Sequence, residues 1–398
     1  MKTNNVSKIG KSCTGCSSCF DVCPTSSIEM VKNNSGFTVS DVNFEKCVDC
    51  GKCYNICPAV KQDKNVSEQK LFAAYAKSVK VRNGGSSGGI FELLATKLLE
   101  EGYYVCGAAF DGTVLKHRLI NNTDELSPLL KSKYVQSDTK GIYKEITSLL
   151  EKGEKVFFCG TPCQVSALKN VAFEKYKGTL ILADIICHGV PSQHLFDLYL
   201  KSIEDKNGGA VSDFSFRVKD NKHKHAHGFS YTLTKNNEQI NVNGVYPYSD
   251  YYNAFKNYLI FRESCYSCEY ATLERVSDIT LADFWGIEKY EFSANTDQGV
   301  SMIITNTEVG EALFKKIADN SVYKEFPVQY GIDSNYSLTK KTKMPAEYYD
   351  IFSSIEKNGY QKTADKYFVY KGGLKSKLYW KLPASLRNMI RKIRGKLS

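Results

Sequence analysis

Eight of the fourteen cysteines lie between positions 13 and 57, in two runs of one form. Cys13, Cys16, Cys19 and Cys23 are followed by Pro24, and Cys47, Cys50, Cys53 and Cys57 by Pro58. Three thiolates spaced two residues apart can wrap three corners of an iron–sulfur cube, while the Cys-Pro corner turns the fourth away from its own run. Two such runs suit two adjacent 4Fe–4S clusters, whose common use is moving single electrons. Zinc and disulfides are the rival chemistries. Structural zinc takes four ligands in all, usually as paired C-x-x-C, not two runs of four that each end in proline. Many cysteines behind a polar N-terminus with no apolar leader favour metal clusters in a reducing cytoplasm over disulfides.

The doubled run resembles the ligand pattern of a bacterial two-cluster ferredoxin. That resemblance implies an exchange of fourth ligands, with one cluster on Cys13, Cys16, Cys19 and Cys57 and the other on Cys47, Cys50, Cys53 and Cys23. So short a segment buries little apolar surface, so its core should be largely inorganic. The expected organisation is a ferredoxin-type α+β module over 1–60, a polar linker over 61–70, a larger domain over 71–345 and a C-terminal extension over 346–398.

The elements that must position further chemistry begin at Leu71. Short apolar runs at 71–76, 103–110, 155–159, 179–186, 279–284 and 300–305 read as strands. Helical periods at 87–101, 143–151, from Pro162, and through 194–202 alternate with them, and Ser86 or Ser87 is the expected N-cap of the first. Strands alternating with helices predict an α/β domain with a mainly parallel sheet. Residues 208–260 alternate as a β insertion rich in tyrosine, and 340–370 read as helical.

Six cysteines remain. Cys163 follows one expected strand, Cys187 follows the next, and Cys265 and Cys268 form a two-thiolate clip. If the two strands are parallel, both loops leave the same carboxyl edge, where α/β sheets place ligands. Four thiolates there suit a third 4Fe–4S cluster, and a four-cysteine zinc site has the same ligand count. Cys106 and Cys159 sit inside apolar strands and read as small buried hydrophobes. Ahead of these, Arg82-Asn83-Gly84-Gly85-Ser86-Ser87-Gly88-Gly89 joins the first strand to the first helix. Glycines allow close backbone approach and a helix N-terminus favours an anion, although the same composition also serves a plain tight connection.

Ser86–Gly89, Ser132-Lys133-Tyr134-Val135-Gln136-Ser137, Gly160-Thr161-Pro162-Cys163-Gln164, Cys187-His188-Gly189, Cys265-x-x-Cys268 and Ser277–Gly286 occur in that order. Together they resemble the coenzyme F(420) hydrogenase/dehydrogenase beta-subunit family over roughly residues 8–310. The resemblance implies FAD, with Ser86, Ser87, Gly88, Gly89, Ser132, Lys133 and Tyr134 lining its site. It implies a 4Fe–4S cluster on Cys163, Cys187, Cys265 and Cys268 beside it. The implied function is an oxidoreductase passing electrons between a ferredoxin-type protein, the clusters and FAD. From there they would pass to a deazaflavin-like coenzyme or another organic substrate, with surface-polysaccharide synthesis one setting among relatives. A carrier or redox sensor with clusters and no flavin is the alternative, and a zinc-stabilised interaction protein is a third reading. His188 adjoins a ligand and is expected to make a supporting hydrogen bond.

The formal charge of +10 does not indicate nucleic-acid binding, because nine basic residues and no acid fall after Tyr370, leaving +1 to the rest of the chain. Within that tail, Leu386, Met389, Ile390, Ile393 and Leu397 recur at helical spacing among Arg387, Arg391, Lys392, Arg394 and Lys396. Such a helix can lie peripherally on an anionic membrane face or pack on the body. His223, His225 and His227 alternate as strand ligands would, but a polar loop is the expected reading.

Overall fold

The computed structural model describes residues 4–65, 68–219, 228–292, 296 and 298–370, with isolated positions beyond. His223, His225 and His227 and most of the basic tail lie outside the described residues. The N-terminal module is an antiparallel hairpin, β1 (Ile28–Lys32) and β2 (Thr38–Val42), with short helices at Ser18–Val22 and Lys52–Asn55. Its packed interior is Val6, Ile28 and Val42 together with Cys19, Cys47, Cys53 and Cys57. Thiols, not aliphatic side chains, make up more than half of that group, as expected for a core that metal completes.

The large sheet contains β3 (Lys70–Ala76), β4 (Tyr103–Asp111), β5 (Val114–Ile120), β6 (Lys155–Gly160) and β7 (Leu180–Ile185). A separate three-stranded meander follows, with β8 (Ala210–Val218), β9 (Gly228–Lys235) and β10 (Glu238–Val245). The large sheet is completed by β11 (Ile279–Asp283), β12 (Ser301–Thr305) and β13 (Ser321–Phe326), in the order β13-β3-β12-β11-β7-β6-β4-β5. β4, β6, β7 and β11 form a contiguous parallel core, and β3 runs the same way beyond the antiparallel β12. The expected α/β class with a mainly parallel sheet holds, with antiparallel strands at its flanks.

Central parallel strands must be apolar on both faces, since helices cover both. On β6, Phe157 packs toward the helix Ile90–Glu100, while Val156 and Phe158 face the helices Ile142–Glu151 and Pro162–Leu168. This alternation is the period-two rule of a strand. The meander covers a second core of stacked rings, among them Phe196, Phe214, Phe216, Tyr251 and Tyr252. It is joined by Ile351, Tyr360 and Phe368, so the expected helical segment 340–370 forms Tyr348–Asn358 and Tyr360–Tyr367 and closes this core.

Three details differ from the sequence reading. The first long helix begins at Ile90, not Ser87, and its cap is Gly89 at φ +82 with no capping side chain. A short helix, Val79–Gly84, precedes it with Ser78 as its N-cap. The strands β5 and β13 were not expected. Both carry exposed charges, Lys324 and Glu325 on β13 and Lys116 and Arg118 on β5, where Leu115, His117 and Ile120 are buried.

Candidate functional site

Because β3, β6, β7 and β11 point the same way, the loops that follow them share one edge of the sheet. A cavity of about 550 Å3 opens there, lined by Ser86, Ser87, Gly89, Ser132, Lys133 and Tyr134, with Cys163 and Cys187 in its wall. Gly88 differs from its neighbours. A side chain there would meet the Ala74 carbonyl at 2.4 Å and the Ser301 amide at 2.9 Å, so this glycine lets the loop press on β3 and β12 and does not face the cavity. The serine hydroxyls also brace the loop. Ser87 donates to the Val300 carbonyl at 2.8 Å, and Ser86 accepts from the Ser132 amide at 2.6 Å.

The loop is held from the far side by two cations of β8 and the residue just past it. Arg217 donates to the Ser86 carbonyl at 2.9 Å, to Asp283 at 2.9 Å and to the Tyr134 hydroxyl at 3.1 Å. Lys219 donates to the carbonyls of Arg82 and Ser87. Arg217 sits at φ +59 beside a break in strand register between Phe216 and Val218. A left-handed arginine in a strand is a strained bulge residue, and such residues re-aim side chains near functional sites. Trp285, 38% exposed, stands at the same end, with the Arg217 guanidinium 5.6 Å and the Lys256 ammonium 6.0 Å from its ring.

Charge and unsatisfied polarity both point into this cavity. Burial lowers Lys133 to about 7 and Lys256 to about 8. Four buried polar atoms on lining residues have no protein partner: Glu92 Oε2, His117 Nδ1, Arg217 Nε and Ser334 Oγ. Buried polar atoms are nearly always paired, so a set of orphans around one hollow marks a place for a polar ligand. The uncapped N-terminus of Ile90–Glu100 opens onto the same space and favours an anion.

On the other side of Cys163 and Cys187 lies a second hollow, of about 290 Å3, lined by Cys163, Cys187, Cys265 and Cys268. Cys163 stands in the first turn of Pro162–Leu168, which a Thr161/Gln164 capping box fixes. Cys265 lies in the turn Glu263–Ser267, and Cys268 ends it. The chain after Cys268 is anchored by the fully buried Arg275–Asp184 pair at 3.0 Å. Among the described residues no three Cys, His, Asp or Glu side chains close tightly enough for a single ion. Burial pushes Cys163 up to about 12 and Cys265 to about 11, with the other thiols of the group adding to it, a strain that a cationic metal core would relieve. His188 lines both hollows, its Nδ1 2.8 Å from Ser337 Oγ.

All fourteen cysteines are free thiols. Cys23, Cys47, Cys50 and Cys53 line one small hollow of the N-terminal module. Cys57 has Cys16 and Cys13 as neighbouring thiols, and Cys19 has Cys16, Cys13, Cys57 and Cys53. The fourth cysteine of each run thus stands beside the opposite run. The module docks on the larger domain by its first run and by the end of its second: Gln136 donates to the Thr14 carbonyl at 2.8 Å, Thr139 to Cys16 at 2.7 Å and Tyr270 to Pro58 at 2.7 Å. Asp21 accepts from the amides of Gly141 and Tyr143, capping Ile142–Glu151 across the boundary. Cys16 consequently joins the same packed group as Cys163 and Cys268, whereas Cys50 is exposed at the far end.

Sequence reasoning did not single out Arg217, Lys219, Lys256 or Arg262, because each is a lone cation in an uninformative stretch. Cys159, expected as a strand hydrophobe, lines the larger cavity, while Cys106 is buried core. Lys133 and Tyr134 lie in the cavity wall, with Tyr134 stacked 4.2 Å from Phe255. Within 277–286, Asp283 pairs with Arg217 and Phe284 packs in the core.

Residues 12–60 match the family described as "4Fe-4S dicluster domain", and residues 153–329 match the family of the C-terminal part of the coenzyme F(420) hydrogenase/dehydrogenase beta subunit. A chain of the xenon-derivatised F(420)-reducing NiFe hydrogenase complex from Methanosarcina barkeri is a structural neighbour at 15% identity and a TM-score of 0.43. The match covers 76% of this chain and 91% of that one. A search of the curated proteins finds no match. The chain carries a 4Fe–4S dicluster domain ahead of a domain of the coenzyme F(420) hydrogenase/dehydrogenase beta-subunit family, and is an iron–sulfur electron-transfer oxidoreductase related to that family's members.

Proposed function

We propose that the larger cavity holds FAD and the thiol pocket a third 4Fe–4S cluster, making the chain a self-contained flavin- and cluster-dependent reductase. The observation that carries this reading is the shared wall: Cys163, Cys187 and His188 line both hollows. A flavin bound there would supply three stable redox states, coupling two-electron exchange with an organic substrate to one-electron exchange with the clusters. The uncapped helix at Gly89 and the Ser86–Ser87 backbone would take its pyrophosphate. Lys133 and the orphaned His117 and Glu92 would meet its polar edges. Arg217 and Lys219 hold the loop in place, and Trp285 with Lys256 would receive an anionic aromatic substrate such as a deazaflavin-like coenzyme. The exposed edge at Cys50 would face a ferredoxin-type protein.

Anaerobic purification with counts of iron, sulfide and flavin tests this. About twelve irons and one FAD per chain are expected, and Cys265→Ser with Cys268→Ser should remove about one third of the iron while sparing the rest. Eight irons, no flavin and no loss in the double variant would refute it in favour of a simple electron carrier.

A further inference from the structure

The boundary between the two domains buries a guanidinium that has no acidic partner. Arg262 is 3% exposed, and among the described residues no carboxylate lies within ion-pair distance of it. Its side chain donates to neutral oxygens only: Gln136 Oε1 at 2.7 Å, the Thr38 carbonyl at 2.8 Å and the Cys13 carbonyl at 3.3 Å. Phe37 stacks 4.9 Å away. The chain makes room for it at one glycine. Gly15, inside the first cysteine run at φ +66, would put a Cβ 2.4 Å from Arg262 Nη2. A buried charge without a countercharge is among the most costly arrangements in a protein interior. Arg262 lines the hollow of Cys163, Cys187, Cys265 and Cys268 and bonds the Cys13 carbonyl, so cysteines of two groups stand around it, Cys13 and Cys16 from the first run and Cys163 and Cys265 from the larger domain.

We propose that Arg262 is the shared countercharge of two anionic clusters, the one on Cys13, Cys16, Cys19 and Cys57 and the one on Cys163, Cys187, Cys265 and Cys268, and makes both easier to reduce. The inference rests on the three-cluster reading above. One-electron reduction adds a unit of negative charge to a cluster beside this cation, with no bond made and no proton moved. Arg262 is therefore a positioning residue, acting on potential and not on the substrate.

The test is a dithionite titration of the anaerobically purified full chain followed by electron paramagnetic resonance, with iron counted in every sample. Arg262→Gln removes the charge. Gln136→Glu leaves the arginine and neutralises it in place, which covers the case in which the first variant fails to fold. In either, the reduction equilibrium of the two flanking clusters should shift at least tenfold toward the oxidised form, about 59 mV for one electron. The cluster on Cys23, Cys47, Cys50 and Cys53 should not move, and Arg262→Lys should restore most of the shift. Twelve irons with unmoved potentials, or with all three clusters moving alike, overturn the role of Arg262. Wild-type iron near eight overturns the reading beneath it instead.

Discussion

Replacing Arg217 separates what its charge does from what its backbone stores. Arg217→Ala removes the donors to Ser86, Tyr134 and Asp283 and leaves the Asp283 carboxylate without its partner. Breaking a buried pair costs roughly 3–5 kcal/mol, and the partial exposure of Asp283, 20% at its side chain, places this case at about 3. Alanine keeps the left-handed backbone at φ +59, which costs an L-residue roughly 1–2 kcal/mol. Arg217→Gly loses the same contacts but sheds that strain, and glycine's own entropy returns part of the gain. The glycine variant should therefore be about 1 kcal/mol more stable than the alanine variant, or about 1 °C in Tm for a chain of this size. Thermal melts with matched cofactor content measure the difference. Both variants should hold flavin at least about tenfold more weakly by equilibrium dialysis, since the lost charge-assisted bond to Ser86 is worth roughly 1.5–3 kcal/mol. Equal melting points would show the bulge to be unstrained. Wild-type flavin affinity in both would show that Arg217 does not hold the loop.

On the flavin reading, the cavity's lysines should make flavin rebinding depend on pH. Each is cationic below its own pKa, so deflavinated protein should bind FAD most tightly near pH 6. It should lose at least about tenfold in affinity by pH 9, as Lys133 discharges near 7 and Lys256 near 8. Lys133→Gln should flatten the lower limb of that profile, and a flat wild-type profile would refute the assignment. The basic tail is tested by flotation with anionic liposomes at low salt, comparing the full chain with one ending at Tyr370. Only the full chain should float, and equal behaviour would remove the anchor.

The metal chemistry was legible because cluster ligands come at fixed spacing. The paired runs followed from that spacing, and the meeting of Cys163, Cys187, Cys265 and Cys268 around one hollow needed only a strand-to-loop reading, since β6 and β7 do run parallel. The glycine loop was located correctly, but its residues could not be assigned faces. Whether Gly88 turns to the cavity or to β3 depends on strand β12, more than two hundred residues away. β5 carried a usable signal in Asp111-Gly112, a hairpin turn whose glycine adopts φ +61, yet its charged outer side masked it. Those charges blunt an edge strand. Arg217 and Arg262 were not legible at all. A buried cation is recognised by what surrounds it, and their partners come from loops separated by as much as 249 residues.

The docking of the first cysteine run has a consequence for how the chain can work. The carbonyls of Cys13, Thr14, Cys16 and Pro58 are each held by a side chain of the larger domain, respectively Ser264, Gln136, Thr139 and Tyr270. These oxygens belong to the ligand loops themselves. Each bond contributes only about 1 kcal/mol, but together they fix the orientation of the loops and not merely their proximity. Asn170 adds the carbonyls of Ile56 and Lys61, and Asn65 is bonded to Arg275 and Ser277, so the segment leaving the module is tied down as well. An N-terminal module that swung between partners would keep a free, polar linker and few bonds to its ligand loops. Here the first run and the end of the second are fixed against the larger domain, and of the eight ligand-run cysteines only Cys50 is left exposed.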